Sequence, residues 1–205
     1  MQSFHNAGML SGLEIVKQVE QGNIKIDPFR LEAVNPNSYN LRLGPKIMRY
    51  KRKPNEAYLD SHRKYGLEDM EVVDISDDGI VLLPGILYLG ATIEMFSTDK
   101  FVPKLDGRSS TGRFGLDVHK CAGVGDIGFA GTWTLELEVI EPLKIYAGDE
   151  ICQMSFYTVC GEIDYTYKGR YKYQIDPVQS KLGDEKDPDS LVTKYLKMRE
   201  GQQDG

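Results

Sequence analysis

The sequence is poor in the residues from which disulfide frameworks and zinc sites are built. Its 205 residues include three cysteines, three histidines and one tryptophan. The cysteines, Cys121, Cys152 and Cys160, are too few and too irregularly spaced for a disulfide framework or a zinc knuckle. Small buried thiols are therefore the expected state of these side chains.

Long apolar runs and an excess of basic residues are also lacking. No run of about 18 apolar residues and no secretory leader pattern is present, so no membrane association is expected and a cytoplasmic location is predicted. With 25 basic and 31 acidic residues, the net charge is −6. This charge disfavours broad nucleic-acid binding but permits a nucleotide held by local positive charge. The basic run at 51–54 is brief and flanked by acids, which favours a solvated hairpin or insertion.

Clear helical periodicity is limited to a segment near the N-terminus. Ser11 and Glu14 have the spacing of a capping box. Leu13, Val16 and Val19 follow at helical intervals. The pattern predicts a short amphipathic helix that packs on the rest of the domain through these apolar residues.

Most of the remaining sequence alternates between short β-type runs and turns rich in Gly, Pro and Asp. Residues 72–83 are predicted to form a hairpin with its turn at Asp77–Gly79. Many short strands at close spacing are typical of a sandwich, barrel or jelly roll. We expect one β domain over residues 1–180 and a polar, mobile tail over 181–205, with a weaker helical pattern at 190–198.

A mixture of glycines, hydroxyls, arginines and acids fills residues 106–138, and a core strand does not need such a mixture. Gly107–Ser110 is predicted to form a turn. Its backbone N–H groups, hydroxyls and guanidinium suit a polyphosphate, and an ordinary surface turn is the alternative. The glycine-rich run at 122–129 indicates tight turns and close approach of the backbone to another group.

Residues 132–139 alternate with period two, which predicts a strand with two different faces. Trp133, Leu135 and Leu137 share one face, and Glu136 lies on the other. A solvated carboxylate is the alternative to a functional role for Glu136, because charged strand residues are mostly exposed.

Several segments, in order along residues 9–180, resemble the dCTP deaminases of the dUTPase-like trimeric superfamily. They read NSYNLRLG at 37–44, LPGILYLGAT at 83–92, GRSSTGRFGL at 107–116, AGVGDIGFAG at 122–131, WTLELE at 133–138, YAGDEICQMSF at 146–156 and GRYKYQ at 169–174. The resemblance implies a mainly-β fold, a distorted jelly roll or β-barrel with a short N-terminal helix and a C-terminal lid. It also implies a homotrimer with sites at subunit interfaces.

The resemblance implies four catalytic residues. Glu136 would carry protons between water, the cytosine ring and the leaving amine. Ser109 and the backbone carbonyl of Ala122 would hold the attacking water, and Arg113 would orient Glu136.

The resemblance also implies a set of residues that bind the substrate, dCTP or dUTP. They are Arg108, Ser110, Arg170 and Gln174 for the triphosphate, Tyr171 beside them on the lid, Asp126 for the sugar 3′-hydroxyl, Phe129 as an aromatic floor, the backbone around Trp133 and Thr134 for the pyrimidine edge, and Gln153 of the 146–156 segment.

The expected metal is Mg²⁺ that accompanies the triphosphate, with no metal held by the protein. Zinc is not expected, because the zinc deaminase signature, H-x-E with P-C-x-x-C, is absent. The superfamily usually has Asp at the position of Asn40, where in dUTPases it helps to hold hydrated magnesium. An amide is a weaker ligand for a hard cation than a carboxylate.

Three functions remain open from the sequence. The first is a dCTP deaminase that forms dUTP and ammonia, and the GDIGF form at 125–129 resembles members that also cleave the triphosphate to dUMP and pyrophosphate. The second is a dUTPase only, which Glu136 in the TLELE strand and Ala122 disfavour. The third is a non-catalytic nucleotide-binding regulator, which nucleotide binding without turnover would favour.

Overall fold

The secondary structure is mainly β, as the sequence predicts. The protein is described by a computed structural model that covers residues 8–52 and 57–184. The predicted helical pattern at 190–198 lies outside these ranges, so that expectation and the division at residue 180 stay predictions. The helices and strands are α1 Gly12–Glu20, β1 Lys25–Asp27, β2 Tyr39–Arg42, β3 Lys46–Tyr50, β4 Met70–Asp74, β5 Ile80–Leu82, β6 Tyr88–Ser97, β7 Phe101–Gly107, α2 Ser109–Arg113, β8 Leu116–Asp117, β9 Ala130–Val139, β10 Leu143–Ile145 and β11 Glu150–Thr158.

The described strands form three antiparallel sheets. The largest has the order β4-β3-β6-β9-β8, with β1 paired to β6. A second sheet has the order β2-β11-β7, and β5 pairs with β10 in a third. No helix of the described ranges is long and apolar enough to cross a membrane.

Strand β9 is central to the largest sheet and shows the predicted alternation. Trp133, Leu135 and Leu137 are buried, whereas Thr134 and Glu136 are half-buried on the opposite face. The buried side chains join a core that both larger sheets share. Burial of one face fixes the register of β9, because a shift by one residue would exchange the two faces.

Helix α1 forms where the sequence predicts it, but its buried face differs. Ser11 caps the helix and accepts a hydrogen bond from the Glu14 backbone N–H at 3.3 Å. Ile15 is fully buried and Val19 packs against the core, whereas Leu13 is 78% exposed. The prediction that Leu13 belongs to the packed face is wrong, because the contact with the sheets is centred on Ile15.

The predicted hairpin at 72–83 has the correct turn but the wrong pairing. Asp77 and Asp78 form a turn, and Gly79 has φ +78°. Strand β4 pairs with β3, however, and β5 pairs with β10. The β3–β4 pair instead brackets the charged segment 51–69, as expected for an insertion, and Arg49 forms a two-point ion pair with Glu71 across it.

The cysteine prediction holds for one residue of three. Cys152 is fully buried, whereas Cys121 and Cys160 are exposed, and all three are free thiols. Burial raises the pKa of the Cys152 thiol, because the apolar surroundings disfavour the thiolate.

Candidate active site

A cavity of about 430 Å³ lies between strand β9 and the segment that follows β11. This volume is in the range of small-molecule sites. Its lining residues come from the β3 end, the β6 start, the glycine-rich run, β9 and the C-terminal segment. They are Tyr50, Leu87, Leu89, Ala122, Val124, Gly125, Asp126, Phe129, Trp133, Thr134, Glu136, Tyr167, Tyr171, Gln174, Val178, Gln179 and Ser180.

An aromatic cluster supports one side of the cavity. Trp133 stacks on Phe96 with ring centroids 5.6 Å apart, and Phe129 lies 5.8 Å from Trp133 and 6.1 Å from Tyr167. A Cβ on Gly125 would lie 2.8 Å from the Trp133 ring, so only glycine permits this approach of the backbone. The glycine-rich run therefore gives the close contact that its composition predicts.

Glu136 presents its carboxylate at the cavity from the half-buried face of β9. Its Oε2 accepts a hydrogen bond from the backbone N–H of Lys120 at 2.7 Å. Within the described ranges Oε1 makes no hydrogen bond, so one oxygen is fixed while the other remains available. Ala122 lies two residues beyond Lys120 and also lines the cavity.

The outer edge of β9 has a gap at Thr134. The Glu136 N–H donates to Val118 at 3.0 Å, and the Thr132 N–H donates to Gln174 at 3.0 Å. Alternate strand residues direct their backbone groups to the same edge, so the Thr134 N–H and carbonyl also point outward. Neither group has a partner among the described residues, which leaves one donor and one acceptor open beside Glu136.

Gln174 closes the edge on one side of this gap. Its Nε2 donates to the Thr132 carbonyl at 2.9 Å and to Thr134 Oγ1 at 3.2 Å. The Val178 N–H also donates to Thr134 Oγ1, at 3.3 Å. Gln174 Oε1 is buried and has no hydrogen-bond partner in the described structure. The resemblance assigns Gln174 to the triphosphate. The structure places it beside Thr134, whose backbone the resemblance assigns to the pyrimidine edge.

Tyrosine hydroxyls hold the far end of this C-terminal segment. Tyr50 accepts from the Ser180 N–H at 2.9 Å, and Tyr171 accepts from the Lys181 N–H at 2.9 Å. The insertion contributes the Tyr65 carbonyl, which accepts from Gln179 at 3.0 Å. The segment therefore covers one side of the cavity, where the resemblance leads us to expect a lid. Hydrogen bonds hold it to both the largest sheet and the insertion.

Arg170 and Asp126 occupy different positions relative to the cavity. The Arg170 guanidinium donates to the carbonyl of Lys181 and is not among the lining residues, although its neighbour Tyr171 is. Asp126 is exposed and lines the cavity in a turn that its carbonyl closes by accepting from the Phe129 N–H at 3.1 Å.

The GRSS segment lies away from the cavity lining in the same chain. Gly107 ends β7, Arg108 caps helix α2, and Ser109 and Ser110 begin it, so the predicted turn is corrected to a junction between a strand and a five-residue helix. The Arg113 guanidinium donates to the Ser109 carbonyl at 2.8 Å rather than to Glu136. Gln153 donates to the carbonyl of Gly107 at 3.1 Å and thereby supports this helix. The residues placed here are Arg108, Ser109, Ser110, Arg113 and Gln153.

The position of Asn40 does not suit a metal ion. Asn40 is 5% exposed, and its amide donates to Glu150 Oε2 at 3.0 Å and accepts from Asn35 at 2.7 Å. The Glu150 carboxylate also pairs with Arg30 and Arg108, so cations of the protein already surround it. No group of three or more potential metal ligands occurs among the described residues.

Several lining residues have no counterpart in the sequence-based prediction. Tyr50 and Tyr167 carry no motif, and their burial raises the pKa of each phenol. The stretch Val178–Ser180 follows the recognised GRYKYQ motif and has no sequence signal of its own. These contacts depend on the path of the chain after β11, which local patterns do not determine.

The fold and the cavity together define a mainly-β protein with a cavity of small-molecule size beside a strand carboxylate. The description "dCTP deaminase-like" belongs to the family model that matches residues 9–159. That match covers most of the chain, and the chain belongs to the dCTP deaminase-like family.

Proteins of known identity agree with this family. The chain is 45% identical over 164 residues to the "dCTP deaminase, dUMP-forming" of Clostridium botulinum (strain Eklund 17B / Type B), with 80% of this chain and 90% of the relative covered. It is 44% identical over 164 residues, with the same coverage, to the enzyme of that name from Leptospira biflexa serovar Patoc (strain Patoc 1 / Ames).

A solved structure shares the fold. The crystal structure of 2′-deoxycytidine 5′-triphosphate deaminase from Agrobacterium tumefaciens aligns with a TM-score of 0.58 and 21% identity. The alignment covers 76% of this chain and about half, 49%, of that one.

Proposed function

We propose that this protein hydrolyses the C4–N4 bond of dCTP and then cleaves the nucleotide to dUMP and pyrophosphate. The observation that carries the proposal is the open N–H and carbonyl of Thr134 beside the Glu136 carboxylate. One donor and one acceptor on a strand edge match the edge of a pyrimidine. Membership of the dCTP deaminase-like family supports the choice of dCTP.

Glu136 is the proposed proton carrier. It takes a proton from water as the oxygen attacks C4, and delivers protons to N3 and to the leaving amine, so that cytosine and water become uracil and ammonia. The hydrogen bond from Lys120 to Oε2 fixes the carboxylate and leaves Oε1 for water. The cavity position of Ala122 supports its carbonyl as one holder of that water.

A second copy of the chain completes the proposed site. Ser109, Ser110 and Arg113 are exposed and lie outside the cavity of their own chain. Phe114 and Ile140, 66% and 75% exposed, form an apolar surface beside helix α2. We propose a homotrimer in which α2 of one chain brings Ser109 and Arg113 to the Glu136 of the next, and Arg108 to its triphosphate.

The second step attacks the α-phosphate with water and releases dUMP and pyrophosphate. The names of the relatives, "dCTP deaminase, dUMP-forming", support it for this chain. Asp126 at the cavity is the proposed residue for the sugar and for orienting that water. Magnesium enters as part of the nucleotide complex, since Asn40 and Glu150 do not suit a protein-held cation. The deamination is proposed to need no zinc.

Product analysis tests the function directly. Purified protein is incubated with dCTP and magnesium, and ammonia, dUTP, dUMP and pyrophosphate are measured over time. Equal amounts of ammonia, dUMP and pyrophosphate are expected, and zinc chelation should change none of them. Accumulation of dUTP with ammonia and no pyrophosphate would reduce the activity to deamination. Cleavage of dUTP without ammonia from dCTP would replace the proposal with a dUTPase.

Subunit complementation tests the shared site. Glu136→Gln and Ser109→Ala chains should each be inactive, whereas co-expression should restore activity in mixed trimers to about a quarter of wild type, because random mixing leaves that share of interfaces intact. The matched control combines Glu136→Gln with Asp126→Asn, since both residues line the cavity of the same chain and no mixed interface then has both intact. No recovery in the first mixture, with trimers present, would place the site within one chain.

A further inference from the structure

We propose that Glu150 is a positioning residue for Arg108, and that Asn40 is an amide because it must donate to Glu150. The inference rests on the proposed function in one respect, that Arg108 binds the triphosphate. It adds a role for two residues that the family pattern does not explain. Glu150 lies in the YAGDEICQMSF segment without an assigned role, and Asn40 stands where the resemblance leads us to expect Asp.

Glu150 is the meeting point of three polar side chains. Its Oε1 accepts from Arg30 at 2.9 Å, and its Oε2 lies 3.0 Å from the Asn40 amide nitrogen and 3.1 Å from Arg108 Nη1. Strand β11 has a register shift between Glu150 and Cys152 where it pairs with β2. Such bulges redirect side chains. This one directs Glu150 at both β2 and the start of helix α2.

The network has a buried anchor and a solvent-facing end. Glu94 is 0% exposed and holds Arg42 at 2.7 Å and Arg30 at 3.8 Å. Exposure then rises to 20% at Arg30, 27% at Glu150 and 32% at Arg108. This series of ion pairs connects the core to Arg108, the member that an incoming anion can reach. Its Glu94–Arg30 contact is electrostatic only, because Arg30 Nε makes no hydrogen bond among the described residues.

Arg108 keeps part of its guanidinium available in this arrangement. Only Nη1 bonds to Glu150, to the carbonyl at 2.8 Å and to the carboxylate at 3.1 Å. The Nε and Nη2 groups make no hydrogen bond within the described structure. These two groups form an edge that suits two-point binding of a phosphate. Glu150 thus orients Arg108 and leaves the Nε–Nη2 edge available for a phosphate.

The identity of residue 40 follows from Glu150. An Asp in place of Asn40 would put a second carboxylate about 3 Å from Oε2, where two like charges repel. The amide instead donates to Glu150 and accepts from Asn35 Nδ2 at 2.7 Å. The carboxylate at this point therefore comes from strand β11 and not from position 40, and it pairs with Arg30 and Arg108.

The test measures binding of dCTP and dCMP by calorimetry in a Glu136→Gln background, which prevents turnover. Glu150→Gln should weaken dCTP binding about tenfold, equivalent to the loss of one charged hydrogen bond, and leave dCMP nearly unchanged. Asn40→Asp should weaken dCTP similarly. The exchanged pair Asn40→Asp with Glu150→Gln should bind dCTP more tightly than either single variant, since one carboxylate and one amide face each other again.

Two controls separate positioning from stability. Glu71→Gln removes an ion pair with Arg49 of similar geometry on β4, and it should leave both ligands unaffected. In an Arg108→Ala background, Glu150→Gln should cause no further loss of dCTP affinity. Melting temperatures of all variants give the contribution to folding.

The proposal would be overturned if Glu150→Gln lowered the affinities for dCTP and dCMP equally. It would also be overturned if Glu150→Gln lowered the dCTP affinity as much in the Arg108→Ala background as it does without that change. If neither Glu150→Gln nor the exchanged pair folds, Glu150 is a structural ion-pair residue and the proposal is equally overturned. Failure of the proposed function is distinguishable from failure of this proposal. In that case the wild-type protein would bind dCTP and dCMP as expected here, yet it would release no ammonia from dCTP.

Discussion

Glu136 and Lys120 are joined by a backbone-to-carboxylate hydrogen bond of 2.7 Å. Lys120 follows β8, so the bond forms where β8 leaves the sheet and the edge of β9 becomes open. A carboxylate at a strand edge is ordinarily solvated, but this one is oriented by a rigid backbone donor. The arrangement allows one oxygen to be held while the other exchanges protons.

Replacement of Glu136 by Gln should greatly slow ammonia release while preserving nucleotide binding. The amide keeps the shape but cannot carry protons, so the rate from dCTP should fall at least about 10²-fold. The matched control is Glu138→Gln, because Glu138 lies on the same face of β9 and pairs with the Lys120 ammonium. Near-normal deamination by Glu136→Gln, measured as ammonia, would remove Glu136 from the mechanism.

Replacement of Gln174 by Ala should weaken dCTP binding. The variant loses hydrogen bonds to Thr132 and Thr134, worth roughly 1–2 kcal/mol together, so Kd should rise several-fold. The melting temperature should fall by only a few degrees for a chain of this size. Gln21→Ala, at the exposed end of α1, serves as the control. Unchanged affinity would show that Gln174 does not order the base edge.

Stability should decline in alkaline solution because of Tyr50 and Tyr167. Burial, the largest cause, raises the pKa of each phenol, so the folded protein binds these protons more tightly than the unfolded chain. Their stabilising contribution is complete below the ordinary tyrosine value of about 10 and is lost as the pH rises through the raised values.

Melting curves from pH 8 to about 11.5 measure this effect. A Tyr167→Phe variant should show a shallower decline than wild type, whereas Tyr173→Phe, at a residue 71% exposed, should match wild type. Identical slopes for all three proteins would show that Tyr167 does not contribute.

Thiol titration should distinguish one cysteine from the other two. Cys121 and Cys160 are exposed and should react rapidly with an aromatic disulfide reagent, whereas Cys152 should react only after unfolding. Burial and the raised pKa both keep Cys152 from forming the reactive thiolate. Cys152→Ala should therefore leave the rapid phase unchanged. Three fast thiols in native protein would contradict the packing of β11.

The sequence predicts those features that depend on local chemistry. The alternation of 132–139 identifies a strand with one buried face, and β9 has that pattern. Ser11 predicts the start of α1 correctly, because capping involves only the first turn. The buried face of α1 is less predictable, since Leu13 and Ile15 are both apolar and only the position of the sheet decides which is covered.

Features that depend on distant segments are not predictable in this way. The Asp77–Gly79 turn is recognisable, but the partners of β4 and β5 lie elsewhere in the chain. For the candidate site, the resemblance identifies Glu136, Ala122 and Asp126, and the structure places all three at the cavity. The hydrogen bond of Arg113 to Ser109 rather than to Glu136, and the presence of Tyr50 and Ser180 at the cavity, depend on the three-dimensional path of the chain.

The gap at Thr134 depends on segments that lie far apart in the sequence. The neighbours that define the gap come from either side of it, Val118 before β9 and Gln174 well after it. The described sheets need no residue beyond β11, whereas the gap has only one boundary until residues near 174 pack against β9. A chain truncated before Gln174 would therefore keep every residue of the described sheets and lack one side of the gap.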